Sequence, residues 1–214
     1  MIIAIDGSAA SGKGTLAKRV AAEFGYDYLD TGALYRAVAL SLLNAGAKIS
    51  NIDEKQAVNA TLTLDLSLTQ AAEIRTDKVA ALASIVAAIN PVRAELLALQ
   101  RAFAAAPPSG KGAVLDGRDI GTIVLPNADI KFFIDADLDI RAERRTKELL
   151  QAGQSVMFRD VLEDMKARDD RDRTRPVAPL KAADDAITID TSKTDATAVL
   201  ALALSYIDRV DPSE

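Results

Sequence analysis

The stretch Met1-Ile2-Ile3-Ala4-Ile5-Asp6-Gly7-Ser8-Ala9-Ala10-Ser11-Gly12-Lys13-Gly14-Thr15 decides the fold. Its opening residues are apolar and read as a short buried strand. Leu16-Ala17-Lys18-Arg19-Val20-Ala21-Ala22-Glu23, which follows, reads as a helix. The small residues between let the chain curl so that successive backbone N–H groups point inward, and the helix N-terminus adds positive potential. Lys13 brings a full charge to the outer phosphates of a nucleotide. Strand, glycine-rich turn, lysine and helix in that order make Gly7, Ser8, Ala9, Ala10, Ser11, Gly12, Lys13, Gly14 and Thr15 a phosphate loop rather than a chance string.

Downstream, apolar runs alternate with helical patterns, as in an α/β fold with parallel strands joined by crossover helices. The runs place strands at Ile2–Asp6, Tyr26–Asp30, Gly112–Asp116, Ile130–Asp135 and Ala186–Asp190. Helices are expected near 13–24, 33–45, 137–152, 157–170 and 195–209. Asp6, Asp116 and Asp190 close three of the strands, at the edge where open α/β sheets bind ligands. Residues 46–105 break the rhythm. Thr61-Leu62-Thr63-Leu64-Asp65-Leu66-Ser67-Leu68 alternates as a half-exposed strand does, and helices are expected near 77–89 and 91–104. The segment reads as an insertion forming one wall of a cleft. A core of 1–45 and 106–214 surrounds it.

At 214 residues the chain can bury one substantial core. With 26 basic against 31 acidic residues its net charge is −5, which argues against broad binding to nucleic-acid polymers. It has no cysteine and no histidine, so disulfides, thiolate metal sites and a histidine general base are excluded. No run approaches the roughly 18 apolar residues of a membrane span, and no cationic-then-apolar leader precedes the first strand. A cytoplasmic protein without a membrane partner is expected, and a monomer.

Arginines and carboxylates gather at the ligand edge. Arg36 lies one turn into the helix after Leu29-Asp30-Thr31-Gly32, where Thr31 is placed to cap that helix. Asp116 closes a strand beside the phosphate loop, the usual place for a carboxylate that holds Mg²⁺ through water. Arg118 and Asp119 follow; an arginine forks onto a phosphate, and a carboxylate accepts from an exocyclic amine. Arg168-Asp169-Asp170-Arg171-Asp172-Arg173-Thr174-Arg175 packs four Arg and three Asp into eight residues. With Arg141, Arg144 and Arg145 on the preceding helix, the region of about 141–175 reads as a lid over anionic phosphates. Phosphoryl transfer needs positioning and charge neutralisation more than covalent chemistry. A phosphate acceptor is already ionised and needs no strong base, in keeping with a chain that lacks histidine.

The segments Ile5-Asp6-Gly7 with the loop, Leu29 through Arg36, Glu73-Ile74-Arg75-Thr76, Asp116 through Thr122, and Arg168 through Leu180 occur in the order and spacing of the bacterial-type cytidylate kinases, which the whole chain resembles. The Gly-Lys-Gly-Thr ending of the loop, with Gly14 between Lys13 and Thr15, likewise resembles nucleoside monophosphate kinases, whose magnesium is held largely by phosphates and water. The resemblance implies a P-loop kinase fold: a central parallel five-stranded sheet flanked by helices, a small monophosphate-binding insertion and a helical lid. It implies transfer of the γ-phosphate of ATP, with Mg²⁺, to CMP or dCMP. By matching position, Gly7 to Thr15 would hold the ATP phosphates, with Arg144, Arg145 and Arg171 as lid candidates. Arg36 and Arg118 would grip the CMP phosphate. Ser84, Arg93 and Asp119 would read cytosine, and Thr31 sits where the family has a substrate-contacting hydroxyl. Asp172 would take a sugar hydroxyl, positioned by Arg168 and beside Arg175. Lys13, Arg36, Arg118, Arg168 and Arg171 would carry catalysis, with Asp116 on the metal through water. The family typically has a three-stranded sheet before the Glu-Ile-Arg-Thr segment; this insertion leaves no room for three full strands.

Two other readings stay open on these residues. One is another P-loop small-molecule kinase with a hydroxyl acceptor. The other is a nucleotide-dependent switch, since Ser192-Lys193-Thr194-Asp195 superficially resembles a guanine-reading Asn-Lys-x-Asp. Its first residue is wrong, and no Asp-x-x-Gly accompanies it.

Overall fold

The computed structural model describes residues 1–210. Two compact units emerge: residues 1–29 with 106–210, and residues 30–105.

The first unit is built on a five-stranded parallel sheet of β1 (Ile2–Gly7), β2 (Asp27–Asp30), β3 (Ala113–Gly117), β4 (Ile130–Asp135) and β5 (Ile187–Asp190). Its order is β2-β3-β1-β4-β5, so β1 lies in the middle with both ladders satisfied. That position explains the unbroken apolar run of Ile2 to Ile5, because a central parallel strand is covered on both faces. The helices of this unit are α1 (Lys13–Phe24), α6 (Leu138–Gln151), α7 (Phe158–Thr174) and α8 (Ala196–Val210). Ile3, Ile5, Val20, Phe132, Ile134 and Ile207 form the centre of its core. A smaller apolar cluster of Ala142, Leu149, Val161 and Met165 pins α6 to α7.

The second unit is helical: α2 (Thr31–Asn44), α3 (Glu54–Leu62), α4 (Asp77–Val86) and α5 (Asn90–Ala105). Leu34, Val38, Leu82, Val86, Val92 and Leu96 are buried there. Thr61–Leu68, expected as a strand, is instead the end of α3 and a short helical turn over Leu66–Gln70. The alternation of Thr and Leu suits a strand, but Asp53 starts α3 by accepting from the Gln56 N–H at 3.2 Å. Asp65 restarts the chain by accepting from the Ser67 N–H at 2.9 Å. Among the described residues this unit contains no β-strand, only one isolated bridge between Lys48 and Asn51.

Candidate active site

The phosphate loop leaves β1 at Gly7, whose backbone lies hard against the next strand. A Cβ there would stand 2.0 Å from the Ile134 carbonyl oxygen, so no other residue fits. Ala10 adopts a left-handed φ of 57°. Such a conformation costs a non-glycine residue about 1–2 kcal/mol, which the surrounding contacts must hold in place. Those contacts are specific. The Ser8 hydroxyl donates to Asp135 Oδ1 at 2.7 Å. The Ala9 carbonyl accepts from Arg141 at 3.3 Å, and the Ser11 carbonyl accepts from the Thr191 hydroxyl at 2.8 Å. Helix α1 begins at Lys13 behind Gly12, with no side chain capping it. Its first N–H groups point at the loop, a ready anion site. The Ser11 hydroxyl is buried inside the loop with no partner. A phosphate oxygen would answer both observations.

Gly14, between Lys13 and Thr15, packs closely on the Asp116 carboxylate. A Cβ at Gly14 would come 3.1 Å from Asp116 Oδ2. The Asp116 carboxylate is buried, and its Oδ1 accepts from the Tyr28 hydroxyl at 3.2 Å. No cluster of three acidic, histidine or cysteine side chains able to cage a metal exists among the described residues. Mg²⁺ characteristically keeps several waters and takes one or two carboxylates plus phosphates, so a lone Asp116 beside the loop suits it. Thr15 is exposed.

The crossover after β3 carries Arg118 and Asp119. Arg118 Nε donates to Asp172 Oδ2 at 3.0 Å, and Arg168 stands 4.0 Å from the same oxygen. Asp119 is buried and accepts from Arg175 at 3.5 Å. Burial pushes the Asp172 carboxyl upward, but Arg118 and Arg168 outweigh it and hold the group below the usual carboxylate range. Arg118, Asp119, Arg168, Asp172 and Arg175 thus form one interlocked array in the first unit.

Other arginines of the α6–α7 hairpin play different parts. Arg141 is buried and donates to the Ala136 and Ala9 carbonyls and, at 2.6 Å, to Asp169. It ties the hairpin to the phosphate loop. Cutting a buried pair strands a charge and costs about 3–5 kcal/mol. Arg141→Met should therefore lower unfolding free energy by about 3 kcal/mol in urea titration; a loss under about 1 kcal/mol would contradict this role. Arg144 is committed to the Thr191 hydroxyl at 2.9 Å and carbonyl at 2.6 Å. Arg145 stands 3.4 Å from Glu148, and Arg171 is exposed on α7.

The second unit holds the remaining candidates. Asp30, not Thr31, caps α2 by accepting from the Ala33 N–H at 3.0 Å. Thr31 is instead the first residue of the helix and is buried. Arg36 donates to the Ile74 carbonyl at 3.3 Å, so the Glu73-Ile74-Arg75-Thr76 segment serves to hold Arg36. Thr76 then caps α4 by accepting from the Val79 N–H at 3.4 Å. Arg93 is buried, donates to the Ala87 carbonyl at 3.2 Å and stands 5.9 Å from the centre of the Tyr35 ring. Ser84 is half-buried on α4.

A family model described as cytidylate kinase matches residues 3–209. The chain belongs to the cytidylate kinase family. A cytidylate kinase of Paramagnetospirillum magneticum is 53% identical over 206 residues, covering 96% of this chain and 97% of that protein. One from Rhodopseudomonas palustris is 50% identical over 210 residues, covering 98% and 97%. Among solved structures, an uncharacterized protein from Eubacterium ventriosum superposes with a TM-score of 0.55 at 18% identity, over 97% of this chain and 98% of that one. That likeness concerns the fold alone. As a member of the cytidylate kinase family the chain is a nucleoside monophosphate kinase. No single helix among the described residues is long and apolar enough to cross a membrane.

Proposed function

We propose that this cytidylate kinase family member transfers the γ-phosphate of ATP to CMP or dCMP in the cytoplasm. The observation that carries the reading is the array of Arg118, Arg168 and Arg175 around the buried carboxylates of Asp119 and Asp172, in the unit that also bears the phosphate loop. ATP with Mg²⁺ supplies the transferable phosphoryl group and part of the charge neutralisation. The N–H groups of Gly7 to Thr15 cradle the donor phosphates, and Lys13 neutralises charge that develops in transfer. Asp116 would hold Mg²⁺ through water. Arg118 and Arg36 grip the acceptor phosphate, fixing its oxygen for in-line attack. Arg168 holds Asp172 for a sugar hydroxyl, and Arg175 steadies Asp119. We assign 46–105 to monophosphate binding, with Ser84 and Arg93 on the base, Thr31 contributing a hydroxyl, and 141–175 to a lid. Arg145 and Arg171 serve the donor phosphates there, and Arg144, the third candidate, is held against Thr191 beside the loop.

Asp119 is the sharpest assignment. Its carboxylate accepts from the 4-amino group of cytosine and faces a carbonyl in uracil. One hydrogen bond to a charged group is worth about 1.5–3 kcal/mol, so Asp119→Ala should lower the CMP-to-UMP ratio of kcat/KM by roughly 10- to 100-fold. A variant that keeps the parental ratio removes Asp119 from base reading.

A further inference from the structure

Ile5-Asp6-Gly7 is the one part of the nucleotide-binding sequence whose carboxylate has no task in the mechanism above. Asp6 is the last side chain before the phosphate loop and is 3% exposed. Its Oδ1 accepts from the Ile120 N–H at 2.8 Å, and its Oδ2 from the Gly121 N–H at 2.7 Å. These donors directly follow Asp119. The chain leaving β3 must reach β4 on the far side of β1, so residues 118–129 run back along β1. The crossover is fastened at the start of β1, where Ile2 N–H donates to Asp129 Oδ2 at 2.6 Å and Asp129 N–H to the Ile2 carbonyl at 3.0 Å. Midway, Lys131 Nζ donates to the Pro126 carbonyl at 2.6 Å. At the ligand end the fastening is Asp6.

We infer that Asp6 is a positioning residue for base selection: it grips the backbone beside Asp119 and sets that carboxylate in register with the phosphate loop that begins at Gly7. The inference rests on Asp119 reading the base. A carboxylate is required because two N–H donors face it, one for each oxygen. An amide offers one acceptor and turns an N–H₂ against the other donor. Satisfying two buried N–H groups would by itself be a matter of stability only. The positioning role differs in acting on the choice of acceptor.

The test is Asp6→Asn, with kcat/KM for CMP and for UMP, KM for ATP, and amide hydrogen exchange at residues 120 and 121. The CMP-to-UMP ratio should fall about tenfold, the worth of one hydrogen bond, while KM for ATP stays within about twofold and the two amides lose protection. Should Asp6→Asn not fold, Gly121→Ala carries the same readout. Its Cβ would crowd the Lys131 stem at 3.1 Å beside Asp6 Oδ2 at 3.5 Å, and faster exchange of amides 120 and 121 marks the variant in which the Asp6 grip is loosened while the N–H remains. A folded variant with the parental ratio, whatever its total activity, overturns the inference. If Asp119→Ala also keeps that ratio, the base-reading assignment fails with it. If Asp119→Ala loses it and the Asp6 and Gly121 variants do not, only the positioning role fails.

Discussion

Lys13→Ala lowers turnover with CMP by about 10²–10³-fold, the usual loss when one preorganised donor to developing charge is removed. The unfolding midpoint stays near the parental value. Lys13 is only partly buried at the head of α1, where its ammonium donates to the Ser8 carbonyl at 3.5 Å. Loop geometry is set elsewhere, by Asp135 on Ser8, Arg141 on Ala9 and Thr191 on Ser11. Lys13→Arg should not rescue turnover, because a planar guanidinium does not replace a compact ammonium at a crowded phosphate. Stopped-time assays of CDP formation beside thermal melts check this. Retention of more than about a tenth of parental turnover would remove Lys13 from the transition state.

Arg118→Ala is expected to act on both catalysis and stability. Losing one charged fork on the acceptor phosphate should raise KM for CMP by roughly 10- to 100-fold, since hydrogen bonds to charged groups contribute about 1.5–3 kcal/mol. The Asp172 carboxylate then loses its nearest partner while still buried, with Arg168 left at 4.0 Å. The pH dependence has a definite sign. Arg118 and Arg168 hold the folded Asp172 carboxyl below its ordinary range, against the upward push of burial. The pair therefore stabilises the fold above the ordinary carboxylate pKa, and the gain is lost as pH falls through the depressed folded value. Arg118→Ala raises that folded value, so its stability deficit should be largest near neutrality and shrink in acid. Melting curves from about pH 3 to pH 7 read this directly; a deficit that grows on acidification would contradict the assignment.

The sheet was legible because its strands are apolar runs ending at small or acidic residues, and the phosphate loop because glycine, lysine and flanking elements all agree. Ile130–Asp135 matches the expected strand at both ends. Thr61–Leu68 misleads as a strand because Thr and Leu alternate there across the end of α3 and a short helical turn. The corrective signal was present: Asp53 followed by Gln56 three places on, with a helical run behind it, is a helix start. Asp30 displaced Thr31 as the cap of α2 because the helix begins at Thr31 itself, one residue earlier than a Thr cap allows. What pattern reading could not reach was the duty of each arginine. Arg141 and Arg144 look alike in sequence, yet both spend their guanidinium on backbone carbonyls that exist only after folding. The same holds for Arg36 on Ile74 and for Asp6 on Ile120 and Gly121.

The central claim is phosphoryl transfer from ATP to cytidine monophosphates. A coupled ADP-release assay with ATP·Mg²⁺ and CMP, dCMP, UMP, AMP, GMP or shikimate as separate acceptors tests it most directly. Fast turnover confined to CMP and dCMP is the predicted result. Turnover with shikimate or a purine monophosphate in preference to CMP, or none with any acceptor despite ATP binding, would contradict it.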